Sequence, residues 1–367
     1  MVGPSSTQRY PFLDGLRGWA AFIVMLLHVF FGSLPPLGSK PIGFPSWLPF
    51  TGAYMVGLFF VVSGFALSIS FLQDNDRKRL LRMTGGRYVR LMVPIFATCA
   101  LASICLNTGI IPAPAARLPA YATSYAFDPT LGHLLWFSTW AVFFNFDFGN
   151  TYAGPLWTMA YELIGSYSIF VLLLLVKQVA VRRSLCLCIG AYLFMKESVY
   201  CYFFFGVMAA ELYVWLQNRE NLDAYAAKLA WVFLAAGFYL PSSHTPKAVL
   251  AGVICWFVGT MLSPTMRGLM SARLSRFLGE ISFPLYLVHE TMIVAVGGPI
   301  YVSADSSAGK LLAGMAAATA SVLIARAALP VETGSKKAAS WVGKLVADAA
   351  ETMWKRARGR AETSSPT

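Results

Sequence analysis

The sequence predicts an all-α fold, a polytopic transmembrane bundle of about ten helices. The chain has 367 residues, of which 57% are hydrophobic and 13% charged, and its mean hydropathy is +0.60. Soluble domains carry about 25% charged residues, so this chain has too few polar side chains to cover a water-exposed surface. Apolar stretches of near-membrane length recur along the chain, and short basic runs lie between them. Lipid is therefore the expected solvent for most of the protein.

The predicted spans share a length close to the roughly 20 apolar residues that cross a bilayer. They lie near residues 16–32, 51–72, 89–111, 155–176, 184–196, 198–216, 229–241, 247–264, 277–301 and 309–329. Two of them, 184–196 and 229–241, are shorter than the others.

Basic residues set the predicted orientation of these spans. The 29 Lys and Arg residues exceed the 17 Asp and Glu residues, an excess that nucleic-acid-binding proteins also show. Here the basic residues cluster beside apolar stretches, as the positive-inside rule places them, so we expect a lipid bilayer as partner and no nucleic acid. The richest cluster is Arg77, Lys78, Arg79, Arg82, Arg87 and Arg90. Threaded through the spans above, every cluster and both termini fall on the cytoplasmic side.

One further apolar stretch, residues 131–148, has no basic residue nearby and ends in the polar residues Asn145, Asp147 and Asn150. If it crossed the membrane, the basic clusters downstream of it would lie on the wrong side. We therefore predict a re-entrant or paired short helix, which is tolerated only where protein buries it.

The chain after residue 330 has a different pattern. Trp341, Leu345, Ala349 and Met353 recur at every fourth position, with Lys and Arg between them. This spacing predicts an amphipathic helix that lies on the inner leaflet. We accordingly divide the chain into an integral-membrane domain, residues 1–330, and a basic cytoplasmic tail, residues 331–367, with residues 362–367 disordered.

No metal site and no bound cofactor are expected. All six cysteines lie in apolar segments, and none has a histidine at the spacing of a zinc site. Cysteines in such segments behave as small apolar residues.

The first span carries two ionisable residues, Arg17 and His28, which are costly in a membrane and therefore functional candidates. Eleven positions correspond to about three turns and roughly 16 Å, so the two residues share one helix face at different depths. Singly, Arg17 could pair with Asp14 at the interface, and His28 could be a packed core histidine. Together, they could hold the phosphates of an acyl carrier at the mouth and remove a proton from a hydroxyl at depth.

Three residues in the next two spans have both a structural and a functional interpretation. Ser63 lies in a glycine-containing packing segment but could donate a hydrogen bond to substrate. Arg87 and Arg90 begin the third span, where the positive-inside rule accounts for them. A pair of guanidinium groups at a helix N-terminus also suits phosphate.

Two later segments add candidates. Trp157 and Glu162 open the span at 155–176, and a glutamate there requires a buried His or Arg as partner. Tyr286 and His289 lie deep in the span at 277–301, where we interpret His289 mainly as a packing and hydrogen-bonding residue.

These motifs occur in one order along roughly residues 9–330. They are Leu13-Asp14-Gly15-Leu16-Arg17-Gly18, His28, Phe59–Phe65, Arg87-x-x-Arg90, Leu156-Trp157 with Glu162, and Ser282 with Tyr286-Leu287 and His289. The set resembles the membrane-bound acyltransferase-three family, whose members O-acylate sugars, lipids and natural products. The resemblance implies an acyl-CoA-dependent enzyme with His28 as its catalytic group. It also implies that Arg17, Arg87 and Arg90 serve the acyl-CoA.

We therefore expect an O-acyltransferase that moves an acyl group, in the first place acetyl, from acyl-CoA to a hydroxyl of a carbohydrate or small natural product. His28 would be the general base, and Glu162 would orient or charge the site; an acyl-imidazole intermediate is the alternative. Ser63 or a backbone N–H would stabilise the oxyanion. Two rivals are a secondary transporter with buried His, Glu and Arg, which predicts paired halves with broken helices, and a non-catalytic scaffold. The sequence predicts no oligomeric state.

Overall fold

The computed structural model describes residues 10–35, 50–112, 118, 121, 125, 127–217 and 223–363. These residues form helices and connecting turns, with no strand among them. Contiguous α- and π-helical turns are counted as one helix, together with the 3-10 turn that opens the helix at Gly154; the short 3-10 segments Phe148–Asn150 and Leu240–Ser243 carry no label. The helices are α1 (Pro11–Ser33), α2 (Gly52–Asp74), α3 (Arg77–Asn107), α4 (Leu131–Phe144), α5 (Gly154–Leu175), α6 (Val179–Met195), α7 (Cys201–Gln217), α8 (Asp223–Tyr239), α9 (Pro246–Leu262), α10 (Pro264–Met270), α11 (Arg273–Ser303), α12 (Ser307–Ala327) and α13 (Leu329–Thr363).

The predicted helical membrane bundle is confirmed. Six of the described helices, α1, α2, α3, α5, α11 and α12, are long and apolar enough to cross a membrane. Helices α6, α7, α8 and α9 have 17 residues each, about 26 Å, which approaches the roughly 30 Å of a bilayer core. Each predicted span thus coincides with a helix, although the ends differ by several residues. The short span predicted at 184–196, for example, is the helix Val179–Met195.

Helices α1 and α11 pack side by side and run in the same direction. A Cβ atom on Gly18 would lie 2.4 Å from the backbone nitrogen of Gly279 in α11, and one on Gly15 would lie 1.9 Å from the carbonyl oxygen of Met270, which ends α10 just before α11 begins. Only glycine permits so close an approach of two backbones. This packing fixes the register that brings His28 beside His289 further along the pair. We call the end at which α1, α3 and α11 begin the basic end, and the other the far end.

Helix α4 is a short apolar helix, and the chain turns back after it. It descends along α3, and the hydroxyl of Tyr88 donates a hydrogen bond to the carbonyl oxygen of Thr139 part of the way down. The chain then turns after Phe144, and Tyr152 lies with its hydroxyl oxygen 3.1 Å from Nδ1 of His133, near the start of α4. The chain therefore returns to the level at which α4 began, which agrees with the interpretation of 131–148 from charge.

Helix α13 packs antiparallel along the first half of α3. A Cβ atom on Gly86 would lie 2.3 Å from the carbonyl oxygen of Ala339, and one on Gly343 would lie 2.1 Å from that of Arg82. The helix continues to Thr363, so residues 362 and 363, predicted to be disordered, are helical; residues 364–367 lie outside the described residues.

The apolar stripe predicted on α13 faces away from α3. Trp341, Leu345 and Met353 are 64%, 53% and 71% exposed, whereas Gly343 and Ala347 are buried in the contact with α3. One face of α13 is thus covered by α3, and an apolar face is left uncovered by the described residues, as an amphipathic surface helix requires.

Candidate active site

A cavity of about 190 Å³ lies between α1, α2, α3, α5 and α11, towards the basic end. Its charged lining residues are Arg17, Arg87, Arg90 and Glu162. The remaining lining is mostly aliphatic and aromatic, so the charges act in a medium of low polarity, where they interact strongly. We call this space the basic cavity.

Within the basic cavity, Arg87 and Glu162 form a hydrogen-bonded ion pair. Nη2 of Arg87 donates to Oε1 of Glu162, and Nε of Arg87 donates to the hydroxyl of Ser166 at 2.9 Å. Ser63 donates its hydroxyl proton to the same Glu162 oxygen at 2.6 Å. Glu162 therefore has an arginine as the partner it was expected to need. Ser63 has its single proton engaged, which argues against its expected hydrogen bond to substrate or oxyanion.

Arg90 points towards α13. Its Nη1 and Nη2 atoms donate to the two carboxylate oxygens of Glu332 at 3.0 and 2.5 Å, and Nη1 also donates to the hydroxyl of Ser335 at 2.9 Å. Burial would raise the pKa of Glu332, but the hydrogen bond and charge of Arg90, with Lys336 nearby, hold it below its usual range. The guanidinium fork of Arg90, expected to meet phosphate, is thus occupied by a carboxylate.

Arg17 differs from both of these arginines. It is half-buried and lines the basic cavity, and it makes no hydrogen bond or ion pair with any residue that the structure describes. Arg17 and Asp14, which the sequence analysis considered as an ion pair, do not form one. Both residues are described by the structure, and Asp14 is exposed whereas Arg17 lines the cavity. A half-buried cation in this position favours an anionic ligand.

A second space, of about 520 Å³, adjoins the basic cavity at Leu67, Arg87 and Arg90 and lies between α2, α3 and α13. Its cationic lining residues are Arg79, Arg82, Arg87, Arg90 and Lys336. We call it the vestibule. Together, the two spaces form a cation-lined path into the bundle from the basic end.

A third space, of about 430 Å³, lies towards the far end and is lined by His28, Trp157, Glu290 and mostly apolar side chains. We call it the His28 chamber. Val56 and Tyr286 line both the chamber and the basic cavity, so the two spaces meet at these residues.

In the His28 chamber, His28 is hydrogen-bonded to a second histidine. Nδ1 of His28 lies 2.9 Å from Nε2 of His289, and Nδ1 of His289 lies 3.2 Å from the carbonyl oxygen of Leu285. A carbonyl oxygen can only accept, so Nδ1 of His289 carries a proton and, in the neutral ring, Nε2 accepts. Nδ1 of His28 is then the donor, and its Nε2 carries a lone pair that no residue described by the structure engages. His289 thus fixes the tautomer that a general base requires.

Tyr286 is held at the junction of the two cavities. Its hydroxyl donates to the carbonyl oxygen of Pro155 at 3.2 Å and lies 3.1 Å from the hydroxyl of Thr158. The ring of Phe59 is 5.3 Å away, centroid to centroid, in an edge-on arrangement. These contacts place a phenol hydroxyl between the charged cavity and the imidazole.

The structure does not bring together the two residues expected to act as a catalytic pair. Glu162 lines the basic cavity and binds Arg87, whereas His28 lines the far chamber and binds His289. Among the described residues, the carboxylate that shares a cavity with His28 is Glu290, to which the sequence analysis assigned no role. Its position as an ionisable residue inside a span was the signal that could have identified it.

The model of an acyltransferase domain, that of the acyltransferase-three family, matches residues 10–327. The match covers most of the chain, and the protein therefore belongs to this family. No curated protein and no solved structure is similar enough to this chain to count as a match.

Proposed function

We propose that this membrane acyltransferase is an O-acyltransferase that moves an acyl group, in the first place acetyl, from acyl-CoA to a hydroxyl. One observation carries the proposal: His28, whose Nδ1 is hydrogen-bonded to His289, lines a chamber that meets a cation-lined cavity at Tyr286. A polyanionic acyl carrier fits the cations, and a neutral base fits the removal of a proton from an alcohol.

The charge distribution supports a donor that enters from the basic end. The vestibule is the larger of the two spaces, and its five cations suit the phosphorylated nucleotide part of CoA, whereas the smaller and mostly apolar basic cavity suits its extended arm. Arg17 is the cation in the basic cavity without a protein partner among the described residues, and we assign it to a phosphate. The positive-inside rule places this end, and both termini, in the cytoplasm, where acyl-CoA is made.

The acceptor then reaches His28 from the far end. His28 Nε2 takes the proton of the acceptor hydroxyl as its oxygen attacks the thioester carbonyl carbon. The C–S bond breaks as the tetrahedral intermediate collapses, and the imidazolium returns its proton to the departing CoA sulfur. An ester and free CoA are the products, and no further reactant is required.

The oxyanion of the intermediate needs a hydrogen-bond donor. Ser63 has its proton on Glu162, whereas Tyr286 lines both cavities and can turn its hydroxyl proton from Pro155 to the oxyanion. We therefore assign this role to Tyr286.

Family membership favours this proposal over a transporter. A transporter of two related halves would have broken helices at matching positions. Among the described helices, the sharp break between two apolar segments is the 96° bend between α9 and α10.

The experiment is to incubate membranes that contain the protein with labelled acetyl-CoA and an extract of candidate acceptors. We expect label in a product in the wild type and in His244→Asn, a change at an exposed loop histidine, and none in His28→Ala. Equal labelling in His28→Ala would contradict the proposal. Label that stays on the protein when acceptor is omitted would indicate an acyl-imidazole intermediate.

A further inference from the structure

The carboxyl group of Glu290 is buried in the His28 chamber without a cation. The residue is 8% exposed, and its Oε1 atom accepts a hydrogen bond from the backbone N–H of Gly154 at 2.9 Å. Among the residues that the structure describes, Oε2 has no hydrogen-bond donor and no Lys or Arg pairs with either oxygen. Burying a carboxylate with half of its acceptors unused is costly, so a ligand donor is the expected partner.

A structural role accounts for only part of this arrangement. The N–H of Gly154 belongs to the first turn of α5, where a carboxylate is stabilised by the helix dipole. That contact uses Oε1. It leaves Oε2 unexplained, and neither the donor path nor the proton transfer described above requires Glu290.

The surroundings of Glu290 indicate what it would bind. Trp157, Phe148 and Tyr286 line the chamber with it, and no Lys or Arg is among the described residues that line this space. An anionic acceptor would meet a carboxylate and no counterion. Aromatic faces with a carboxylate suit polyols and ammonium groups.

His28 and Glu290 line the same chamber. Glu290 also follows His289 directly in α11, and Nε2 of His289 lies 2.9 Å from Nδ1 of His28. A molecule with its reactive hydroxyl at His28 can therefore present a second polar substituent to Glu290 within this chamber.

We propose that Glu290 binds a second hydrogen-bond donor, carried by the carbon adjacent to the one that bears the acylated hydroxyl. The acceptor is then a vicinal diol or a vicinal amino alcohol and not an anionic alcohol. This rests on the proposed acyl transfer and names its acceptor class. Glu290 is then a specificity-determining residue.

The test measures kcat/KM with labelled acetyl-CoA and a panel of small acceptors in the purified full-length protein. The panel is cis-1,2-cyclohexanediol, trans-2-aminocyclohexanol, cyclohexanol, 2-methoxycyclohexanol and 2-hydroxycyclohexanecarboxylate. We expect the first two to exceed cyclohexanol and its methyl ether by about tenfold to hundredfold, the range for a hydrogen bond to a charged group. The hydroxy acid should be the poorest acceptor. Comparison of kcat/KM for the diol and for the amino alcohol shows whether Glu290 prefers a hydroxyl or an ammonium group beside the acylated hydroxyl.

Variants of Glu290 then test the residue itself. Glu290→Leu should bring the diol-to-cyclohexanol ratio close to one. Glu290→Gln, which keeps an oxygen for Gly154, should lose the preference for the ammonium and gain activity on the hydroxy acid. Ratios within one preparation do not depend on how much protein is folded. Glu280→Gln, an exposed carboxylate on the same helix with 64% side-chain exposure, should keep the wild-type ratios.

Two results would overturn the inference while leaving acyl transfer intact. One is a wild-type protein that acetylates cyclohexanol and the diol with equal kcat/KM, or that acetylates an acceptor from the extract but no member of the panel. The other is a Glu290→Leu protein in which all acceptors fall by the same factor, as a purely structural role predicts. Failure of the proposed function itself would appear differently, as no transfer to any acceptor, the extract included.

Discussion

The basic cavity and the His28 chamber differ in how their polar groups are partnered. In the basic cavity, two arginines are neutralised by carboxylates of the protein and a third, Arg17, has no partner among the described residues. In the chamber, an imidazole is held by another imidazole, and a carboxylate has no cation among the described residues. One space thus favours an anion and the other disfavours it. The difference separates donor recognition from acceptor recognition, with Tyr286 at the boundary.

The two paired arginines also differ from each other. Arg87 binds Glu162 inside the bundle, where Oε1 of Glu162 accepts hydrogen bonds from both Arg87 and Ser63. Arg90 binds Glu332 and holds α13 against the vestibule. Of the three described arginines that line the basic cavity, Arg17 is therefore the one that can bind a phosphate without first releasing a protein carboxylate.

The largest expected effect is that of His28→Ala on the chamber side. Loss of the general base should lower kcat by about 10²- to 10⁴-fold while the protein remains folded and in the membrane. The rate of labelled acetyl transfer measures this, with His244→Asn as the matched control. Near-normal turnover of His28→Ala would mean that another residue is the general base.

Tyr286→Phe tests the boundary between the two spaces. Removing an oxyanion donor should reduce kcat by about 10²-fold or more and change KM for either substrate little, because the hydrogen bond forms only in the transition state. Tyr88→Phe, on α3 beside α4, is the control phenol and should retain kcat. If Tyr286→Phe instead raises KM with kcat unchanged, Tyr286 only shapes the passage.

Arg17→Gln tests the anion preference of the basic cavity. Loss of a charged hydrogen bond to phosphate should raise KM for acyl-CoA by about tenfold to hundredfold and leave KM for the acceptor nearly unchanged. Arg276→Gln, an exposed arginine at the same end, should behave as wild type.

The double change Arg87→Lys with Arg90→Lys preserves charge and topology but removes both guanidinium forks. We expect this double variant to raise the KM for acyl-CoA less than Arg17→Gln does. A larger rise would mean that Arg87 and Arg90, and not Arg17, are the main phosphate ligands.

His289→Ala should have a smaller effect than His28→Ala, on the order of tenfold in kcat, because His289 positions the base and does not touch substrate. His289→Gln offers an amide oxygen to Nδ1 of His28 and should recover part of the loss. Measurement of kcat in both variants distinguishes positioning from packing. If Gln and Ala are equally impaired, the hydrogen bond has no role in catalysis.

The helical spans were readable from the sequence because hydropathy is a local property. The prediction from charge that residues 131–148 do not cross the membrane is consistent with the return of the chain after α4 to the level at which α4 begins. Long-range partners were not readable: His28 and His289 are 261 positions apart, and Arg90 and Glu332 are 242 apart. Their pairing depends on close backbone contacts at glycines such as Gly18, which carry no hydropathy signal.

The same reason explains two contacts at the site that the sequence could not show. Glu162 was joined to His28 because both are ionisable residues in spans, but depth along separate helices decides which cavity each one lines. The fork of Arg90 was assigned to phosphate because α13 was expected on the membrane surface and not against α3.

The most direct test determines from which side of the membrane the acyl donor acts. Sealed inside-out and right-side-out vesicles would be loaded with the acceptor extract and supplied with labelled acetyl-CoA outside, since its charge prevents it from crossing the bilayer. We expect label to reach the enclosed acceptor in inside-out vesicles only, where the basic end faces the added donor, and we expect His28→Ala to abolish this transfer. Transfer from right-side-out vesicles at an equal or higher rate would contradict a donor path through the basic cavity.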